Sequence, residues 1–307
     1  MRIVFMGTPD FAVPSLEALL AAGHEVCGVF TQPDKPKNRG MKLLPPPVKV
    51  TAQSHDIPVF QPTKLRDGSA LEELRALAPE LIVVAAYGRI LPQEILDLPP
   101  KGCINVHSSL LPRYRGAAPI NWAVVNGDKE TGVTIMKVAP ELDAGDILGQ
   151  VSTPIDPEET VETVHDRLAG LGGELLVKVV EEIAAGTVQA VPQDPQLVTY
   201  APMLSRALAP IDWSQSANSI HNKVRGLVPW PATSTDVFSK EPVKVFAVAE
   251  TGEHTGKAPG TVLAARPEGI DVACGDGMVL RILELQAPGS RRMAAADYLR
   301  GHPITIA

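Results

Sequence analysis

The chain has 307 residues, 45% hydrophobic and 21% charged, with a net charge of −7. Such proportions describe an ordinary globular protein of about two domains, and the acidity argues against a generic polyanion binder. The three cysteines, Cys27, Cys103 and Cys274, form no CxxC pair, which excludes a zinc-knuckle pattern and a disulfide framework and fits a reducing compartment.

The N-terminus, MRIVFMGTPDF, breaks its apolar run at Gly7 and Pro9. It is too short for a signal-peptide core or a bilayer span, so a cytoplasmic location is expected and no membrane. Ile3-Val4-Phe5 reads as a strand. Thr8-Pro9-Asp10 then reads as an N-cap with proline at the first helical position. Phe11, Leu16, Leu19 and Leu20 make one apolar face. Val26 to Phe30 and Val59-Phe60 read as strands, and Leu71 to Leu77 as a helix. Leu81 to Ala86 is a continuous apolar run, as in a strand buried on both faces. Gly102 to His107 and Ile147 to Ile155 read as further strands. Thr160 to Ala184 reads as one or two helices with a break at Gly172-Gly173.

This alternation predicts an α/β fold, an N-terminal doubly wound, Rossmann-like parallel sheet over residues 1–188. Residues 189–208, rich in proline, are expected to be a linker. Ala217 to Arg225 reads as a helix opening residues 209–307. There Val243 to Val248, Gly260 to Leu263, Ile270 to Ala273 and Met278 to Leu285 read as strands of a small β-barrel of the OB-fold type.

The turn Gly7-Thr-Pro-Asp10 lacks the G-x-G-x-x-G that a dinucleotide pyrophosphate requires, so nicotinamide and flavin are not expected. The chemistry concentrates in residues 103–120, CINVHSSLLPRYRGAAPI. Asn105 and His107 are two apart at a strand end, so their side chains share a face. In an open α/β sheet that end is the ligand crevice. An amide donor beside an imidazole suits acyl transfer: one steadies a developing oxyanion, the other supplies a proton or a charge. A second segment, Glu141-Leu-Asp-Ala-Gly-Asp146, offers a loop carboxylate that could hold the histidine charged. On chemistry alone Asp143 and Asp146 are equal candidates.

Asn105-Val106-His107, Ser109-Leu110-Leu111-Pro112 and Leu142-Asp143-x-Gly145-Asp146 together resemble the folate-dependent formyltransferases. The openings GTPDF and QPDKPKNRGMKLLPPPVK, the long form SLLPRYRGAAPI, and IDWS and PWP are similar to the branch that acts on an aminoacylated tRNA. The resemblance runs over essentially the whole chain. Ser108 departs from it slightly, in a position where a smaller residue is usual. The resemblance implies catalysis by Asn105, His107 and Asp143, with 10-formyltetrahydrofolate as donor and no metal. It implies folate contacts at Ala86, Tyr87, Gly88, Ile90 and Leu91, and at Ser109, Leu110, Leu111 and Pro112; from its residue type alone Tyr87 reads equally as a rim aromatic without ligand contact.

The acceptor implied is the α-amino group of initiator methionyl-tRNA, bound by a monomer. Residues 31–50 hold Lys35, Lys37, Arg39, Lys42 and Lys49 against one acid, Asp34, on the otherwise acidic first two thirds of the chain. Their connection is longer than usual for an α/β unit, and its cations suit acceptor-stem phosphates. From residue 207 onward, ten Lys and Arg face ten Asp and Glu. That part is expected to add contacts through some of Lys223, Arg225, Lys240, Lys244, Arg291 and Arg292. Two other readings compete. One is a formyltransferase for a small amine, a nucleotide-sugar or glycinamide ribonucleotide, which needs neither the basic loop nor the second domain. The other is a non-catalytic tRNA-binding protein, against which the intact Asn105, His107 and Asp143 count.

Overall fold

The computed structural model describes residues 1–37, 42–304 and 306. The chain divides into two compact units. The first comprises residues 1–119, 131–153 and 165–201, and the second residues 120–130, 154–164 and 202–307.

The elements up to residue 201 run β1 (Arg2–Gly7), α1 (Val13–Ala21), β2 (Glu25–Phe30), β3 (Lys35–Lys37), β4 (Lys42–Leu44), α2 (Pro47–Ser54), β5 (Val59–Phe60), α3 (Ser69–Leu77) and β6 (Leu81–Ala85). They continue α4 (Gln93–Leu96), β7 (Cys103–His107), β8 (Arg115–Gly116), α5 (Pro119–Val125), β9 (Glu130–Lys137), β10 (Ile147–Pro154), α6 (Val161–Ala185) and β11 (Tyr200–Ala201). Seven strands form one sheet in the order β10-β9-β7-β6-β1-β2-β5. β7, β6, β1, β2 and β5 are parallel neighbours, while β9 runs antiparallel to β7. The sheet is therefore mixed and mostly parallel. The chain leaves β1 toward β2 and returns on the other side to β6, so the switch point lies between the carboxyl ends of β1 and β6, where open α/β sheets hold ligands. β6 is buried at all five positions, as its unbroken apolar run requires.

Two local expectations are corrected. Thr8 does not cap a helix. The backbone after it makes a 3-10 turn over Asp10–Ala12, and α1 follows with Pro14 in its first turn. The Thr8 hydroxyl instead donates to the carbonyl of Tyr87 and accepts from Gln32 N–H. Gly172-Gly173 does not break α6, which is one helix of 25 residues. These glycines permit close packing: a Cβ at 172 would stand 3.1 Å from Val106 Cγ1, and one at 173 would stand 2.9 Å from the carbonyl of Pro14.

The segment 189–201, expected as linker, is bonded to the first unit. Val191 bridges Ile147, a short 3-10 turn covers Pro195–Leu197, and β11 pairs in parallel with β8.

The second unit continues α7 (Ala217–Leu227), β12 (Thr233–Thr235), β13 (Val243–His254), β14 (Val262–Arg266), β15 (Gly269–Ala273), β16 (Met278–Gln286), β17 (Met293–Ala294) and α8 (Ala295–Gly301). Its sheet runs β12-β13-β16-β15-β14 with β17 added to β16, and every pair is antiparallel. Three register shifts along β13 mark bulges that bend it. Trp213, Ile220, Val224, Val245, Ile282, Leu285 and Tyr298 fill its core.

Candidate active site

β7 sits between β6 and β9, and its register sets Val84 beside Asn105 and Thr134 beside His107. Asn105 and His107 point to one face by the strand's period of two. His107 is 6% exposed, while Asn105 is half-buried. Among the described residues none hydrogen-bonds the Asn105 side chain, so its amide is available to a ligand.

His107 is held from two sides. Its Nε2 lies 2.9 Å from the carbonyl oxygen of Tyr114. A carbonyl only accepts, so Nε2 carries the hydrogen. Nδ1 is then the nitrogen that gains or loses a proton, and it faces Asp143 Oδ2 at 3.8 Å. That separation allows charge attraction but exceeds a hydrogen bond. Asp143 Oδ2 accepts instead from Gly116 N–H at 2.8 Å. Tyr114 (φ 62) and Asp143 (φ 47) both lie in the left-handed region, which non-glycine residues rarely enter and which aims their groups at the histidine.

The two aspartates that chemistry alone left equal are separated by geometry, which agrees with the resemblance in favouring Asp143. Asp143 faces His107, whereas Asp146 turns away to Lys137 Nζ at 3.1 Å. Gly145 between them admits no side chain, because a Cβ there would overlap the carbonyl oxygen of Lys137.

Several groups that hold this site gave no local signal in the sequence. Gln193 Nε2 donates to the carbonyls of Asp143 and Gly145, both at 2.8 Å. Its Oε1 accepts from Arg115 Nε and Nη2 at 3.0 and 2.9 Å. Thr199 Oγ1 accepts from Tyr114 N–H at 2.9 Å. The loop after β6 is pinned by Gln32 Nε2, which donates to the carbonyls of Tyr87 and Gly88. These partners lie tens of residues from the groups they hold, beyond the reach of any motif.

The expected folate residues divide. Ala86, Gly88 and Ile90 are exposed, with Ile90 at 76%. Tyr87 and Leu91 alternate with them and are buried. Tyr87 is therefore not a rim aromatic: it belongs to one buried core with Met6, Phe30, Leu74 and Ile95, and among the described residues its hydroxyl has no partner. Burial pushes its phenol up to about 12, against the opposing pull of Arg89. In the next loop Ser109 and Leu111 are buried, and the Ser109 hydroxyl donates to the carbonyl of Arg113. Leu110 and Pro112 are half-buried.

The expected basic loop is a hairpin, in which β3 and β4 pair Lys35 with Leu44 and Lys37 with Lys42. Lys35 is exposed. Arg39 lies outside the described residues. Lys49 does not join them: it stands on α2 and is occupied by Asp34, both carboxylate oxygens at 2.9 Å, and by Gln61. In the second unit Arg225 is likewise engaged, buried against Asn222 and the carbonyl of Glu159, and Lys223 donates to the carbonyl of Pro210. Arg292 pairs with Glu284 and lies over the ring of Phe246. Lys240, Lys244 and Arg291 are exposed.

Burial pushes the thiols of Cys103 and Cys274 up to about 12 and about 11, which makes both poor nucleophiles. Among the described residues no group of three or more His, Cys, Asp or Glu could hold a metal, and no helix is long and apolar enough to cross a membrane.

Residues 1–180 match the formyl transferase family model, and residues 203–303 match the formyl transferase C-terminal domain. The chain belongs to the formyl transferase family. It is 54% identical over 304 residues to a methionyl-tRNA formyltransferase of Moorella thermoacetica, covering 99% of this chain and 97% of that one. It is 50% identical over 301 residues to the methionyl-tRNA formyltransferase of Geobacter sulfurreducens, covering 98% and 94%. Among solved structures, an N-formyltransferase from Helicobacter canadensis in complex with folinic acid and dTDP-3-aminofucose superposes with TM-score 0.70 at 21% identity, covering 92% of this chain and 98% of that one. HypX from Aquifex aeolicus in complex with tetrahydrofolic acid superposes with TM-score 0.65 at 21% identity, covering 100% and 48%. For this formyl transferase those two likenesses speak to fold.

Proposed function

We propose that this formyl transferase moves the formyl group of 10-formyltetrahydrofolate to the α-amino group of initiator methionyl-tRNA. The observation that carries the proposal is identity of about half, over the full length and both family domains, to methionyl-tRNA formyltransferases.

The residues fit the donor. The strand end offers at Asn105 an amide without a partner among the described residues, and the loop after β6 offers the exposed Ala86, Gly88 and Ile90 as one wall. Leu110 and Pro112 stand in the neighbouring loop, half-buried. The buried Tyr87, Leu91, Ser109 and Leu111 serve by shaping these loops. The donor supplies a formyl group on an amine nitrogen, ready for attack by another amine.

Chemistry then falls to three side chains. The acceptor needs no strong base: a model α-amino group titrates at about 7.7–8.0, so part of it is neutral near pH 7. Asn105 donates to the formyl oxygen as negative charge develops on it, a role that removal of a single donor reduces by roughly 2.7–4 kcal/mol. His107 holds a proton on Nδ1, the nitrogen not committed to Tyr114. Asp143 keeps that proton in place by charge and fixes the ring toward the reacting atoms. As the new C–N bond forms and the bond from the formyl carbon to the donor nitrogen breaks, that nitrogen takes the Nδ1 proton and Nδ1 recovers one from the attacking amine.

In this reading the basic stretch of Lys35, Lys37, Arg39 and Lys42 supplies the acceptor-stem contact, while Lys49 is held by Asp34. Lys240, Lys244 and Arg291 are the second unit's contributors. The enzyme works as a cytoplasmic monomer. Incubation with 10-formyltetrahydrofolate and methionyl-tRNA, followed by deacylation, should release N-formylmethionine, whereas free methionine should not be formylated. Absence of product with the charged tRNA overturns the proposal.

A further inference from the structure

We infer that the segment from Gln193 to Ala201 is a strap that positions both members of the His107–Asp143 pair. The inference rests on the catalytic reading of that pair. The strap lies outside residues 1–180 and 203–303, the stretches that the two family models match.

Its first arm is Gln193. A primary amide has two N–H donors and two acceptor lone pairs, and here all four are used. The two donors take the carbonyls of Asp143 and Gly145, and the oxygen takes two N–H groups of Arg115. One side chain thus ties the loop carrying Asp143 to the strand residue preceding Gly116. Gly116 N–H in turn holds the Asp143 carboxylate. Asp143 is gripped by its main chain from Gln193 and by its carboxylate from Gly116, which sustains the left-handed backbone (φ 47) that faces it to His107.

The second arm is Thr199. Its hydroxyl accepts from Tyr114 N–H, and its carbonyl accepts from Arg115 N–H at 2.9 Å. Tyr114 is the residue whose carbonyl receives His107 Nε2, and it too is left-handed (φ 62). Beyond it the Ala201 carbonyl accepts from Ala117 N–H at 2.9 Å, and a Cβ at Gly116 would stand 2.7 Å from that oxygen. Between the two arms Asp194, Gln196 and Leu197 are exposed. The bonds thus concentrate where the strap meets the supports of the catalytic pair. Gln193 and Thr199 are positioning residues, acting through Asp143 and Tyr114.

The test uses the full chain and measures kcat, KM for both substrates and melting temperature. Gln193→Glu keeps the acceptor for Arg115 and removes the two donors. It should lower kcat by about tenfold to a hundredfold, the scale of a small misplacement at a reacting centre, with both KM values near wild type. Thr199→Val should lower kcat in the same way, and Thr199→Ser, which restores the hydroxyl, should recover it. Gln189→Ala, four residues before the strap and with its side chain donating to the Thr187 carbonyl, should match wild type. Wild-type kcat in Gln193→Glu beside an inactive Asp143→Asn overturns the strap and leaves the catalytic pair standing. Losses that fall on KM, or that track melting, also overturn the strap. A fully active Asp143→Asn overturns the pair and the strap together.

Discussion

His107 Nε2 and the Tyr114 carbonyl oxygen lie 2.9 Å apart, and this contact decides which nitrogen does chemistry. Because the oxygen can only accept, the proton that comes and goes is on Nδ1, 3.8 Å from Asp143. His107→Gln can keep a donor near Tyr114 but places nothing at Nδ1. It should therefore be as poor as His107→Ala, with turnover down by roughly a hundred- to a thousandfold and folate affinity unchanged. Single-turnover formyl transfer with equilibrium folate binding checks this. A His107→Gln enzyme near wild type would place the chemistry on Nε2.

Asp143→Asn keeps shape and removes the charge that faces Nδ1, so kcat should collapse. Asp146→Asn loses only a pair to Lys137 in which both side chains are well exposed, 39% and 52%. Exposed pairs contribute about 0–1 kcal/mol, so Asp146→Asn should retain most activity. Steady-state kinetics on the two variants side by side makes the comparison, and equal damage would contradict the geometry.

Gly145→Ala tests the loop itself. A methyl group there overlaps the Lys137 carbonyl oxygen, so β9 or the Asp143 loop must shift. Overpacking of this kind costs about 1–3 kcal/mol. Activity should fall further than stability, because the displaced residue next but one is Asp143. Thermal melting and kcat, read together, distinguish this from simple unfolding.

How far the sequence alone reached depended on distance along the chain. The strand carrying Asn105 and His107 was legible from its apolar alternation and its glycine start. β6 was legible as an unbroken apolar run. Local composition misled where tertiary contacts overrule it. Gly172-Gly173 looked like a helix break, yet the small residues are needed because Val106 and Pro14 pass close by. Thr8 looked like a cap, yet its hydroxyl joins two loops. Lys49 and Arg225 read as candidate tRNA contacts, yet partners 15 and 66 residues away engage them. Gln193 had no local signal, since the residues it binds lie 48 to 78 positions away.

Tyr87 gives a pH-dependent prediction. Its phenol is raised from about 10 to about 12 by burial, and among the described residues its hydroxyl has no partner. A raised folded value means this group's contribution to stability is intact below pH 10 and is lost as pH rises toward 12. Tyr87→Phe removes both the unpaired hydroxyl, worth roughly 1–3 kcal/mol of desolvation, and this alkaline loss. The variant should melt no lower than wild type at pH 8 and relatively higher at pH 11, with formyl transfer retained. A lower melting temperature at pH 8 would mean that the hydroxyl is satisfied in solution.

The hairpin prediction separates tRNA recognition from chemistry. Each phosphate contact adds roughly 0.7–0.9 to the slope of log affinity against log salt. Arg39→Ala should weaken use of methionyl-tRNA and flatten its salt dependence, leaving folate affinity alone. Lys35→Ala, which removes an exposed cation, should flatten the slope by about one contact. An unchanged slope in both variants would remove the hairpin from the interface.

The most direct measurement is kcat/KM for formyl transfer to methionyl-tRNA, set against a nucleotide-linked amino sugar and glycinamide ribonucleotide with the same donor. Transfer to methionyl-tRNA should dominate by several orders of magnitude, a difference that charge and size recognition of the tRNA can supply, and Asp143→Asn should abolish it. Faster transfer to either small amine, or formylation of methionyl-tRNA that survives Asp143→Asn, would contradict the account.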